Sequence, residues 1–166
     1  GLAAEGRPFR GVLYAGVMVT KAGPQLLEFN CRFGDPETQV VVPRLDGDLL
    51  PLLRAAALGE LGSMRALWKR EAAVCVVLAS HGYPESPRRG DSIAGLGEAL
   101  AQPGVLVFHA GTALQDGRLV TAGGRVLSVV GRGATLDEAA RTAYSGAGRV
   151  QFEGMQWRSD IGKGLS

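Results

Sequence analysis

The sequence is poor in cysteine and histidine, with two of each among 166 residues. Cys31 and Cys75 both sit inside apolar, strand-like runs, which argues against a disulfide framework and fits a reducing compartment. Neither His81 nor His109 has a Cys or His partner at metal spacing, so no zinc site is expected. His109 reads as a hydrogen-bonded strand histidine and His81 as a loop residue. Charge imbalance is also lacking. The net charge of +2, without any Lys/Arg run, argues against a nucleic-acid partner. No apolar run approaches the ~18 residues of a membrane span and no signal peptide is visible, so a cytoplasmic protein without a membrane partner is expected. Internal repeats and low-complexity segments are missing too. The first residue is Gly1 and not an initiator Met, which leads us to expect a piece of a longer protein.

What the chain does contain is ordinary globular material, with 46% hydrophobic and 20% charged residues. Its length allows one core of usual size or two small ones. Glycine stands out at 25 residues, about twice the usual ~7% share, and implies many turns and close backbone approaches.

The most informative stretch runs from Gln25 to Gln39. Read as a strand, it puts Leu27, Phe29, Cys31 and Phe33 on one face, fit to pack on a core, and Glu28, Asn30 and Arg32 on the other. Glu28 and Asn30 offer hard oxygen ligands of the kind Mg²⁺ takes alongside phosphates and water. Arg32 adds a planar cationic fork for a phosphate or carboxylate. The bland alternative is the solvated face of an antiparallel strand. Beyond it, Gly34-Asp35-Pro36-Glu37 reads as a tight turn carrying two more carboxylates, which either meet a substrate or act locally.

Before this stretch, Phe9–Thr20 is β-rich and apolar, hence an expected buried strand, and Lys21-Ala22-Gly23-Pro24 turns it into an antiparallel hairpin. Gly11 and Gly16 admit two readings, close backbone approach or relief of packing. Asp48 is placed to cap a helix whose Leu49, Leu52, Leu53 and Ala56 share a core face, with Gly59 or Gly62 ending it. A second short helix is expected over Met64–Lys69. Ala72–Ser80 reads as a strand buried on both faces. A Pro/Gly-rich loop spans His81–Asp91, where Arg88 and Arg89 read as solvated charges or a phosphate clamp. Ile93–Leu100 is weakly patterned, and Val105–Ala110 is a strand. Asp116-Gly117 marks a hairpin, Arg125–Val130 another strand, and Thr135-x-x-Glu138 a capping box ahead of a helix. Met155–Gly162 reads as a final strand or turn. Gly123-Gly124-Arg125 suits either phosphate binding through backbone N–H groups or a turn into the Arg125 strand.

The string Glu28-Phe29-Asn30-Cys31-Arg32-Phe33-Gly34-Asp35-Pro36-Glu37-Thr38-Gln39 resembles the ATP-grasp signature of the phosphoribosylamine–glycine ligases (glycinamide ribonucleotide synthetases). Gly82-Tyr83-Pro84, Arg89-Gly90-Asp91, Phe108–Thr112, Thr121–Leu127 and Asp160-Ile161-Gly162 resemble that family's carboxy-terminal domain, so the likeness runs from about Phe9 to Gly162. It implies an α+β chain: residues 1–66 as the C-terminal part of an ATP-grasp domain, antiparallel strands plus helix, and 67–166 as a small β-rich domain with a packed helix. An amino-terminal domain and an ATP-clasping domain would be the partners it lacks, leaving the fragment alone inactive. The implied chemistry is ATP-dependent joining of glycine to 5-phosphoribosylamine in purine biosynthesis. Glu28 and Asn30 match that family's metal ligands and would hold Mg²⁺ (or Mn²⁺); to these our own reading adds Arg32 as catalytic, Asp35 and Glu37 as substrate-binding or turn-capping, and Gly123 and Arg125 as substrate-binding. The alternatives are another ATP-grasp carboxylate–amine ligase or a non-catalytic module reusing the fold.

Overall fold

The computed structural model of the protein describes residues 1–163. Its contacts gather into two compact units. One comprises Gly1–Thr38 and Leu45–Lys69, the other Gln39–Arg44 and the chain from Arg70 onward.

The first unit is organised on an antiparallel hairpin of β1 (Tyr14–Thr20) and β2 (Gly23–Asn30). Thr20 pairs with Gly23 across a two-residue turn, and the Thr20 hydroxyl donates to the Gly23 carbonyl at 2.8 Å. The register slips between Gly16 and Val17, so Leu27 faces no partner and forms a bulge. A short helix, α1 (Glu37–Val41), follows the Asp35-Pro36 turn, and the Thr38 N–H and hydroxyl both donate to the Gly34 carbonyl. Then comes α2 (Leu49–Leu58), capped as its sequence dictates. The Asp48 carboxylate accepts from Leu50 N–H at 2.9 Å, and Gly59 closes the helix at φ 75°. Leu49, Leu52, Leu53 and Ala56 are half-buried on its inner side, and Ala55 is buried.

Three expectations for this part of the chain are corrected. The β1 strand is not buried: Val17, Met18 and Val19 are 49–83% exposed. Leu27 and Phe29, expected against a core, are 64% and 58% exposed, and Cys31 is exposed as well. A two-stranded ribbon has two faces, and burying them takes a second layer that a lone pair of strands does not provide. Met64–Lys69 is not helical either. Trp68 pairs with Leu45 in an antiparallel bridge, and Asp46 N–H donates to the Leu67 carbonyl at 2.8 Å, which holds the segment extended.

The second unit is a three-stranded antiparallel sheet in the order β3-β7-β4: β3 (Ala72–Ala79), β7 (Arg125–Gly133) and β4 (Val105–His109). Burial on both faces belongs to central β7, where Val126 through Gly131 are all buried. On edge strand β3 only Val74, Val76 and Leu78 alternate into the core while Cys75 and Val77 stay half-exposed, correcting the expectation of a doubly buried strand. β5 (Thr112–Gln115) and β6 (Arg118–Thr121) form a separate hairpin. Its turn residues Asp116 and Gly117 both have positive φ, 50° and 74°, the twist that a two-residue hairpin demands. The weak segment before β4 contains a one-turn helix, α3 (Leu96–Leu100). At the end of the chain Gln156 bridges to Ala79.

The long helix α4 (Leu136–Ala147) packs on β7 and β3 through Ala139, Ala143 and Ala147, all fully buried. Thr135 caps it, accepting from Glu138 N–H at 3.2 Å, while the Glu138 carboxylate accepts from Ala134 N–H at 2.9 Å. Thr135→Ala is expected to cost about 1 kcal/mol of stability, read as a shift in the urea midpoint without a change in slope.

Candidate functional site

The polar edge of β2 is built by the hairpin's bulge. Counted straight back from the turn, Ala15 would oppose Glu28 and Phe29 would oppose Tyr14. The bulge instead sets Gly16 opposite Glu28 and Tyr14 opposite Asn30. Gly16 is buried, and a Cβ there would lie 3.1 Å from Glu28 Cγ, so glycine clears the space over which the Glu28 side chain lies. Asn30 Nδ2 donates to Glu28 Oε1 at 3.0 Å, so the two polar heads touch.

Glu37 joins them from the start of α1. Its side chain folds back over buried Gly34, where any Cβ would collide with the Glu37 carboxylate. The Tyr14 hydroxyl donates to Glu37 Oε1 at 3.5 Å. The Glu37 charge foremost, then loss of solvent, the hydrogen bond to Glu37 and the charge of Glu28 hold the Tyr14 phenol above its ordinary range. A phenolate would be a third negative charge between two carboxylates, so the folded state keeps the proton longer than the unfolded chain does. The stability this contributes is present below pH ~10 and is lost as pH rises through the folded value. Glu37→Gln, followed by ultraviolet absorbance in metal-free protein, is expected to move one of three tyrosine titrations back toward its ordinary pH.

Tyr14 lies inside an apolar run with nothing to single it out; only the bulged register brings it beside Asn30. Arg32 is exposed, and its Nη1 donates to the Phe33 carbonyl at 2.9 Å. Asp35 is exposed at the turn ahead of α1.

The fit to a divalent cation can be judged from the donors present. Glu28 supplies carboxylate oxygens and Asn30 one amide oxygen; turning the amide over would set Oδ1 about where Nδ2 now lies, 3.0 Å from Glu28 Oε1. Two ligands at right angles on an ion with ~2.05 Å bonds stand about 2.9 Å apart. Among the described residues no group of three or more His, Cys, Asp and Glu is gathered for a metal. A two-oxygen edge suits Mg²⁺ or Mn²⁺ completed by water and phosphate better than zinc.

The remaining predicted residues lie in the second unit. Gly123 and Gly124 turn the chain into β7, and their carbonyls accept from Ser80, Oγ to Gly123 at 3.0 Å and N–H to Gly124 at 2.9 Å. The Gly123 backbone packs on that of Gly111, and the Tyr83 ring lies over Gly124 where a Cβ would intrude. Arg125 opens β7 beside Tyr83, Trp157 and Arg158. Arg88 pairs with buried Asp91, and His109 Nδ1 bonds the Thr112 hydroxyl at 2.9 Å. No helix among the described residues is long and apolar enough to cross a membrane.

Comparison with known proteins matches residues 73–164 to the family model "Phosphoribosylglycinamide synthetase, C domain" and residues 1–38 to "Phosphoribosylglycinamide synthetase, ATP-grasp (A) domain". The phosphoribosylamine–glycine ligase of Caulobacter vibrioides is 52% identical over 98% of this chain, and that of Streptomyces coelicolor 53% identical over 95%. In both cases the chain spans 38% of the relative's length. The crystal structure of phosphoribosylamine–glycine ligase from Thermotoga maritima superposes with a TM-score of 0.81 at 42% identity, over 96% of this chain and 39% of that one. N5-carboxyaminoimidazole ribonucleotide synthetase from the same organism shares the fold alone, with a TM-score of 0.62 at 18% identity over 91% of this chain and 39% of that one.

The hairpin with its polar edge, and the helix-backed sheet that follows, are thus the carboxy-terminal portion of an ATP-grasp protein. Within that class, the chain belongs to the phosphoribosylglycinamide synthetase family.

Proposed function

We propose that the whole protein of which this chain is a part joins glycine to 5-phosphoribosylamine at the expense of ATP, in the cytoplasm, as a step of purine biosynthesis. The observation that carries this reading is the contact between Glu28 and Asn30 on the polar edge of β2, within a chain about half identical to ligases of that name. Glycine's carboxylate attacks the γ-phosphate, ADP leaves and a glycyl phosphate forms; the amine of phosphoribosylamine then attacks the acyl carbon, phosphate leaves and the amine loses a proton. Such transfers depend on positioning and charge neutralisation more than on covalent help from the protein.

Glu28 and Asn30 would hold Mg²⁺ or Mn²⁺, which when bound neutralises phosphate oxygens. Arg32, exposed two residues beyond the end of β2, stabilises the charge of the acyl phosphate. Tyr14 steadies Glu37, and Asp35 and Glu37 take the glycine ammonium or ribose hydroxyls. Gly123 and Arg125 are assigned to substrate binding. The amino-terminal and ATP-clasping domains are supplied by the rest of the protein, and we assign 1–66 to the end of the ATP-grasp domain and 67–166 to the carboxy-terminal one.

An amino-acid profile of the whole protein tests the reading. ADP release with glycine is expected to exceed that with alanine or serine at least tenfold. A better rate with another carboxylate would transfer the protein to a different ATP-grasp activity.

A further inference from the structure

Where β3 begins and β7 ends, the second unit carries a concavity of about 430 Å³, lined by Arg70, Glu71, Gly104, Arg132, Gly133 and Ala134. Along β7, Arg132 stands roughly 23 Å from Arg125 at ~3.3 Å per residue, well away from the substrate residues assigned to this unit. Small residues keep the concavity open. A Cβ on Gly133 would collide with Glu138 Cβ and Ala139 N on α4. Gly104 holds φ 78°, and its carbonyl accepts from Arg132 N–H at 2.9 Å.

The charges sit on the long side chains around it. Arg132 Nη1 donates to Glu71 Oε1 at 3.2 Å, and the Glu71 carbonyl accepts from Arg44 Nε at 2.9 Å. Arg132 Nε is shut off from solvent without an acceptor, and among the described residues nothing accepts from Nη2 either. A buried N–H left unpaired is rare and costly, so this edge of the guanidinium is a fork lacking its oxygens. Arg70 is exposed and makes no ion pair among the described residues, which leaves its donors free. Facing Arg44, Arg70 and Arg132 are the carboxylates of Glu71 and Glu138, the second already engaged by Ala134 N–H at the start of α4. Positive charge is in excess. No aromatic ring lines the walls, so nothing there stacks on a base or a sugar.

We propose that this concavity binds a compact oxyanion of two or more charges, of the diphosphate class, between the unfilled fork of Arg132 and the guanidinium of Arg70. Guanidinium forks take phosphate oxygens two at a time. A volume within the ~300–1,000 Å³ of ligand pockets gives room for two linked phosphates. Glu71 works against the ligand, because its carboxylate repels an anion and occupies Nη1 of Arg132. The site stands apart from the ligase reading and does not depend on it.

Calorimetric titration of the whole protein with diphosphate, orthophosphate and ATP, each without Mg²⁺, tests this in the absence of turnover. Diphosphate is expected to bind at least tenfold more tightly than orthophosphate. Arg70→Gln, at an exposed side chain, is expected to weaken diphosphate at least fivefold while ATP affinity stays within twofold. Glu71→Gln is expected to tighten diphosphate at least threefold, a change of sign that a damaged fold would not produce. Diphosphate affinity that neither variant alters, or that Glu71→Gln weakens, overturns the proposal. Equal binding of the two phosphates overturns it as well. A parallel loss of ATP affinity in Arg70→Gln does the same, by giving the binding to a nucleotide site.

Discussion

Glu28→Ala in the whole protein is expected to lower glycine-dependent ADP release by about 10²–10³-fold, the loss typical when one preorganised electrostatic group is removed from a transition state. The carboxylate is the only charged member of the touching Glu28–Asn30 pair, and nothing in β1 replaces it, since Gly16 stands opposite. Asn30→Ala removes a neutral oxygen and is expected to cost less. Both side chains lie at the surface of a ribbon and carry no core packing, so the thermal midpoint should move by no more than ~2 °C, as surface changes usually do. Glu28→Gln keeps the shape and loses the charge; it should resemble the alanine variant in activity and bind Mn²⁺ more weakly by electron spin resonance. A Glu28→Ala protein that keeps a third of its activity would remove the cation from this edge.

A large effect on stability is expected at Gly131. It lies two residues before the end of β7, and a side chain there would run into the backbone N of Ala143 and O of Ala139 on α4. Backbone cannot rotate aside as a flexible side chain can, so Gly131→Ala must lift the helix from the sheet. Overpacking costs 1–3 kcal/mol where side chains yield; here at least ~3 kcal/mol is expected, a large share of the 5–15 kcal/mol typical of a domain. Gly97→Ala is the contrasting case. A Cβ there meets nothing within 4 Å inside α3, and replacing a helical glycine should be neutral or stabilise by up to ~1 kcal/mol. Urea midpoints of the two variants read both effects, and a Gly131→Ala protein within 1 kcal/mol of the parent would contradict the close helix–sheet approach.

Local chemistry made much of this fold legible. Asp48 and Gly59 mark both ends of α2, Thr135 and Glu138 the start of α4, and Asp116-Gly117 the β5–β6 turn, because caps and tight turns are decided within a few residues. What depends on distant neighbours was hidden. Nothing near Leu27 announces a bulge, yet the bulge alone puts Tyr14 beside Asn30 and Gly16 beneath Glu28. The apolar run of β1 reads as buried because composition records the wish for a covering layer and not its presence. Val74–Ala79 likewise gives no hint that β3 is an edge, since the pairing partners on β7 lie some fifty residues away. The Glu28/Asn30 pair was visible as period-two alternation; Glu37's approach was not, because it comes through the turn over Gly34.

The most direct test of the central claim is ADP release by the whole protein with Mg²⁺-ATP and phosphoribosylamine, measured with and without glycine. Release that requires glycine, and that Glu28→Ala loses, is the predicted result. Release that ignores glycine, or that survives in the Glu28→Ala protein, would contradict it.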